Sequence, residues 1–130
     1  MRFPSLDEAI ACNEAVRGPD ESSMSADDDD LERVDRALQR VRAETDPVDA
    51  AAALAYEITA AQGFYEGNKR TATLLARWFL SVNTDLHVDA LIPPDDREFA
   101  DLLLAAARGD AVGDEIRGLL RDRGGRTARG

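Results

Sequence analysis

Apolar residues recur along this chain at helical spacing. Leu31, Val34, Leu38 and Val41 follow one another at intervals of three, four and three, one stripe on a helix of about residues 29 to 44. The positions between them are mostly Arg, Asp, Glu and Gln, so the opposite face is solvated. Phe99, Leu102, Leu103 and Ala106 form a second stripe, and Val112, Ile116, Leu119 and Leu120 a third. Leu6 and Ile10, with Ala9 or Asn13, make a shorter one that runs to about Val16. Two stretches differ. Residues 48–61 are nearly all apolar or Ala, with Leu54, Tyr56 and Ile58; residues 71–82 carry Leu74, Leu75, Trp78, Phe79 and Val82. Helices with so wide an apolar face belong in the middle of a fold. Leu86-His87-Val88 is a short alternating run and predicts one extended segment.

Local signals punctuate these elements. Ser5-Leu6-Asp7-Glu8 is a capping box, in which hydroxyl and carboxylate satisfy the orphan amides of a helix start. Gly18-Pro19 ends that helix, and residues 17–27 read as a polar loop. Residues 27–30 are consecutive aspartates. They cannot all face one metal ion, and they suit the positive end of the following helix. Asp46 with Pro47 is an N-cap followed by proline at the first helical position. Asn83-Thr84-Asp85 is a stop, Pro93-Pro94 a rigid spacer, Asp95 with Glu98 another capping pair, and Gly109 another stop. The sum is an all-α fold, a compact single-domain bundle of about six helices with short connections and no internal repeat.

Composition agrees. The chain has 130 residues, the length of one domain, and is rich in Ala and poor in β-branched residues. Its formal net charge is −10, which repels nucleic-acid phosphates and anionic lipid and argues against either as a partner. Cys12 stands alone, so an internal disulfide and a multi-cysteine zinc site are excluded. It falls on the core side of the first helix, a small buried hydrophobe rather than a nucleophile. No apolar run approaches the length of a membrane span, and the N-terminus leads into no signal-like segment, so the expected location is cytoplasmic. Residues 121–130 are basic and include Gly124, Gly125 and Gly130. They read as a disordered tail behind a domain of residues 1–120, or as a docking tail for an acidic partner.

The chemistry concentrates between the two central helices, in Gln62-Gly63-Phe64-Tyr65-Glu66-Gly67-Asn68-Lys69-Arg70-Thr71, which holds the chain's only lysine. A helix starting near Asn68 points unpaired amides outward at the positive end of its dipole. Gly67 lets a phosphate approach without a Cβ in the way, and Asn68 can cap the helix or donate to a phosphate oxygen. Lys69 and Arg70 add a point charge and a guanidinium fork. Cations at a helix N-terminus oppose the dipole, so an anionic ligand explains them better than the helix does. Glu66 offers the hard oxygen that Mg²⁺ needs when it is shared with a nucleotide. Phe64 reads as an anchor pinning the loop to the core; Tyr65 faces solvent or a partner, or stacks on a base.

Residues Phe64-Tyr65-Glu66-Gly67-Asn68-Lys69-Arg70-Thr71-Ala72 resemble the core of the Fic/Doc motif, His-x-Phe-x-Asp/Glu-Gly/Ala-Asn-Gly/Lys-Arg. The helix order from Leu6 to Leu120 is similar to that family's as well. The resemblance implies a helical domain that uses a nucleoside triphosphate, ATP or another, and Mg²⁺ to modify hydroxyl groups of target proteins. Most members transfer AMP. The Doc branch, with Lys after the Asn as at Lys69, phosphorylates its target and is the toxin of a toxin–antitoxin pair. By position, Glu66 would hold the metal, Gly67, Asn68 and Lys69 would line a phosphate nest, and Arg70 would bind a phosphate. Thr71 would be a structural first-turn residue.

Two positions depart from the motif. Gln62 stands where the family has the histidine that acts as base on the target hydroxyl. Glutamine takes no proton, and loss of a general base costs about 10²–10⁴-fold in rate. Thr73 stands where a second arginine is expected, and Arg77 lies one turn beyond it, directed elsewhere. His87, the only histidine, follows the second central helix and reads as a surface residue. The family's inhibitory signature is absent, so inhibition would come from a separate antitoxin protein. The implied function is a kinase or nucleotidyltransferase in which Gln62 orients the acceptor. The alternative is a catalytically degenerate member that binds nucleotide or a partner without turnover.

Overall fold

The computed structural model describes residues 1–17, 27–64 and 66–129, with side chains as far as residue 125. Among the described residues there are seven helices and no strand: α1 (Leu6–Val16), α2 (Asp28–Val41), α3 (Pro47–Ala61), α4 (Asn68–Asn83), α5 (Val88–Leu91), α6 (Arg97–Ala107) and α7 (Gly113–Arg129). The fold class is all-α, as the periodicity predicts. No helix is long and apolar enough to cross a membrane.

α3 is the centre. It packs most extensively on α4, to which residues 62–67 connect it, and it touches α2, α6 and α7. Its alanines explain how one helix meets so many neighbours. Ala50, Ala51, Ala52 and Ala55 are buried and bring backbones close, while Leu54 and Ile58 fill the spaces between. Each of those two side chains, fully buried, contributes roughly 1.5–3 kcal/mol of hydrophobic stabilisation. α4 answers with Ala72, Leu75, Ala76, Phe79 and Leu80. Its buried face is narrower than the sequence suggests: Leu74 and Val82 are exposed, and the small residues Ala72 and Ala76 take the inward positions instead.

The capping signals of α1 and α3 and the acidic start of α2 hold. Ser5 Oγ accepts from Glu8 N, and Glu8 Oε1 accepts from Ser5 N, both at 3.1 Å. Asp27 Oδ1 accepts from Asp30 N at 2.8 Å, so the acidic run does sit at a helix start. Asp46 Oδ1 accepts from Val48 N and Asp49 N at 2.9 and 3.0 Å, with Pro47 leading α3.

Other expectations are corrected. α2 ends at Val41, and residues 42–44 follow it in tighter turns, their amides donating to Gln39 O, Arg40 O and Val41 O. Leu86-His87-Val88 is not an extended segment: His87 is the N-cap of α5, and its carbonyl accepts from Ala90 N at 3.0 Å. The cap of α6 is Asp96 rather than Asp95, and its side chain makes no cap bond because Arg123 of α7 holds it. The expected disordered tail from residue 121 is helical instead, since α7 continues to Arg129. Arg121 pairs with Asp49 of α3, Arg123 also donates to Leu91 O at 2.9 Å, and Gly124 packs near Val48 and Leu91. Most of the expected polar loop, with its Gly18-Pro19 stop, lies outside the described residues. Cys12 is half-buried, and burial, with the nearby Glu8 charge, pushes its thiol pKa up, consistent with a packing residue.

Candidate functional site

The loop between α3 and α4 is held from three sides. Gln62 ends α3 in the left-handed conformation, φ 49° and ψ 39°, where a non-glycine residue is uncommon. From α2, Arg33 places its fork on that end. Nε donates to Ala61 O at 3.1 Å and Nη2 to Gln62 O at 3.2 Å, a cation on the orphan carbonyls of a helix C-terminus. Asp30 steadies Arg33 at 2.7 Å. Gly63 is required by space: a Cβ there would lie 2.2 Å from Val34 Cγ2 and 2.8 Å from Asp30 O. Phe64 is buried, the anchor its sequence position implies.

Asn68 closes the loop on itself. Its Oδ1 accepts from Phe64 N at 3.0 Å and its Nδ2 donates to Phe64 O at 2.9 Å. The side chain therefore braces the turn and does not cap the helix. Gly67 is the N-cap, at φ 78°, a conformation that favours glycine. From α1, buried Asn13 donates to Glu66 O at 2.7 Å and to Thr71 Oγ1 at 3.2 Å. Thr71 is fully buried, as a structural first-turn residue should be. Among the described residues no side chain caps α4, which leaves its first amides facing an outside acceptor.

These restraints create a cavity of about 420 Å³ at the start of α4. It is lined by Gln62, Glu66, Gly67, Asn68, Lys69 and Arg70, all six positions singled out from the sequence, together with Ala107 and Arg108. The last two come from the end of α6 and were not expected. Nothing local marks them; the one sign is a basic residue immediately before the Gly109 stop. Gln62 makes the link, for its Nε2 donates to Thr59 O and to Ala107 O, each at 3.2 Å.

Lys69 and Arg70 are exposed. Arg70 donates to Val16 O at 2.6 Å, which fixes its stem against the end of α1. Both also line a second, more apolar cavity of about 630 Å³, with Thr73, Leu74, Arg77 and Leu103. Thr73 turns its hydroxyl back to Lys69 O at 2.9 Å, and Arg77 is tied to Asp89 at 2.7 Å and to Ile92 O. His87 is exposed beyond the far end of α4, which at 16 residues is about 24 Å long. Tyr65 lies outside the described residues.

Among the described residues Glu66 is the one carboxylate lining the cavity, and no group of three or more His, Cys, Asp or Glu could hold a metal. That donor set does not suit an all-protein metal cage. It does suit Mg²⁺, which needs only one or two carboxylates when phosphate oxygens and water complete its shell.

Fold and cavity together define a helical domain organised around an open helix start with a carboxylate and adjacent cations. The family model described as Fic/DOC matches residues 14–80, from α1 through most of α4 and over more than half of the chain. The chain belongs to the Fic/DOC family. No curated protein matches it.

Proposed function

We propose that this chain is a Fic/Doc-type transferase. It uses a nucleoside triphosphate, ATP or another, with Mg²⁺ to modify a hydroxyl of a target protein, by phosphorylation or AMPylation. In this reading it is the cytoplasmic toxin of a toxin–antitoxin pair. The observation that carries the transferase reading is the meeting of Gln62, Glu66 and residues 67–70 in one cavity at an uncapped helix start. The open amides of α4, with Gly67 beneath them, receive phosphate oxygens. Lys69 and Arg70 bind the same oxygens by charge and by fork geometry. Asn68 keeps the turn in shape through Phe64. Glu66 would hold Mg²⁺, and the ion would supply positive charge against that developing on the transferred phosphoryl group. The lysine at position 69, where the Doc branch has one, supports phosphorylation and the toxin role.

Gln62 cannot act as a base. Both its amide hydrogens are engaged by Thr59 O and Ala107 O, which fixes the side chain and leaves Oε1 as an acceptor. Oε1 orients the acceptor hydroxyl, whose oxygen bonds the transferred phosphorus as the nucleoside diphosphate or pyrophosphate leaves and whose proton passes to a phosphate oxygen or water; the reaction relies on positioning and electrostatics, as phosphoryl transfer largely does. The same two hydrogen bonds favour a second reading, nucleotide binding without turnover, because bridging α3 and α6 is a sufficient structural use for a glutamine.

Incubation with lysate and ATP labelled at the α or the γ position separates these readings. Transfer of γ label marks a kinase, and transfer of α label marks an AMP transferase. Transfer only by Gln62→His supports the second reading. No transfer by either protein removes the enzyme reading.

A further inference from the structure

We propose that Arg108 is a third phosphate-binding cation of the cavity at the start of α4, supplied by α6 from outside the motif loop. The inference rests on the nucleotide-binding reading above. Arg108 is the C-cap of α6 and lines the same cavity as Glu66, Lys69 and Arg70. Its approach is fixed through the adjacent residue, since Gln62 Nε2 donates to Ala107 O at 3.2 Å. Gln62 is itself held by Arg33. The residue in the motif's histidine position thus ties a second basic wall to the phosphate cradle.

The guanidinium is uncommitted. Its one ion-pair neighbour among the described residues is Asp110 at 3.9 Å, with both side chains well exposed, an arrangement worth little. The other cations near α4 are less available. Thr73 occupies the position of the motif's second arginine and bonds its own helix. Arg77 is held by Asp89 and Ile92 O and lines the other cavity. Arg70 already gives one nitrogen to Val16 O. An extended polyphosphate lying across the open amides of α4 would also meet the carbonyl end of α6, which repels anions. Arg108 stands at that end and reverses its sign.

A simpler role exists for Arg108, that of a cation completing the α6 dipole, and it makes different predictions. Mg-ATP is titrated into the full chain, and into Arg108→Ala, Arg108→Lys and Lys69→Ala, with melting temperatures recorded for each. Loss of one charge-assisted phosphate contact should weaken Arg108→Ala by about tenfold, with the melting curve little changed and the Lys variant in between. The affinity of Arg108→Ala should also fall less steeply with added salt. Unchanged affinity in Arg108→Ala alongside a loss in Lys69→Ala overturns the proposal and leaves the nucleotide reading standing. A lowered melting temperature with unchanged affinity identifies a helix cap and likewise overturns it. No binding by the unmodified chain overturns both.

Discussion

Asn13 of α1 and Glu66 of the central loop are joined by a 2.7 Å hydrogen bond from the Asn Nδ2 to the Glu backbone carbonyl. The same nitrogen reaches Thr71 Oγ1 at 3.2 Å. One buried amide thus fixes the turn that aims the Glu66 carboxylate and the first turn of the helix that follows.

Asn13→Ala should therefore cost about 1–3 kcal/mol, because the Glu66 carbonyl and a fully buried hydroxyl lose their donor. Asn13→Asp should cost at least as much, since a carboxylate would face the Glu66 carbonyl oxygen. Urea unfolding measures both. An Asn13→Ala protein as stable as the parent would mean that the loop holds its shape without α1.

Gly63→Ala should destabilise by about 1–3 kcal/mol, the usual range for overpacking. The cause is space, for the added methyl would lie 2.2 Å from Val34 Cγ2. Val34→Ala in the same protein should recover part of that loss but not all, because Asp30 O would still stand 2.8 Å away. Thermal melts of the two single variants and the double variant give the coupling directly. Strictly additive losses would contradict the packing described.

Two carboxylates tie α7 to the rest of the fold. The hydrogen bond from Arg121 holds Asp49 below the ordinary carboxylate pKa, with that residue's charge adding to it despite burial. At Asp96 burial acts the other way, but the Arg123 hydrogen bond, with that residue's charge, opposes it, and the net shift is also downward. A pKa depressed by folding means that the unfolded chain binds protons more readily. The stabilisation is complete above the unfolded value of about 3.9 and is lost as pH falls through the lower folded value. Asp49→Asn and Asp96→Asn should each flatten the acid limb of melting temperature between about pH 5 and 2. A limb as steep as the parent's in both variants would mean that α7 is not docked by these pairs.

These pairs also mark where the sequence stops being legible. Glycines and arginines after Leu120 have the composition of a tail, but Asp49 and Asp96, distant in sequence, supply the partners that make them a docked helix. The same holds at α6, where Asp96 is engaged by Arg123 and does not cap its own helix. Leu86-His87-Val88 alternates, yet no neighbouring strand exists among the described residues to pair with it, and a short helix satisfies its backbone locally. Where signals are local they read correctly: the caps at Ser5 and Asp46, the acidic run at the start of α2, the alanine-rich centre and the helix start at Asn68. The site divides likewise. Residues 66–70 are legible because one turn carries the carboxylate, the glycine and the cations. Asn13, Arg33 and Arg108 are not, because each reaches the loop from another helix.

On the proposed function, the cavity at the start of α4 binds nucleoside triphosphate through its open amides, Glu66, Lys69 and Arg70. Calorimetric titration of Mg-ATP into the intact chain, Lys69→Ala and Glu66→Gln tests it most directly. Saturable one-to-one binding is expected, weakened at least about tenfold in Lys69→Ala and made largely independent of Mg²⁺ in Glu66→Gln. Absence of binding by the intact chain, or equal binding by all three proteins, would contradict it.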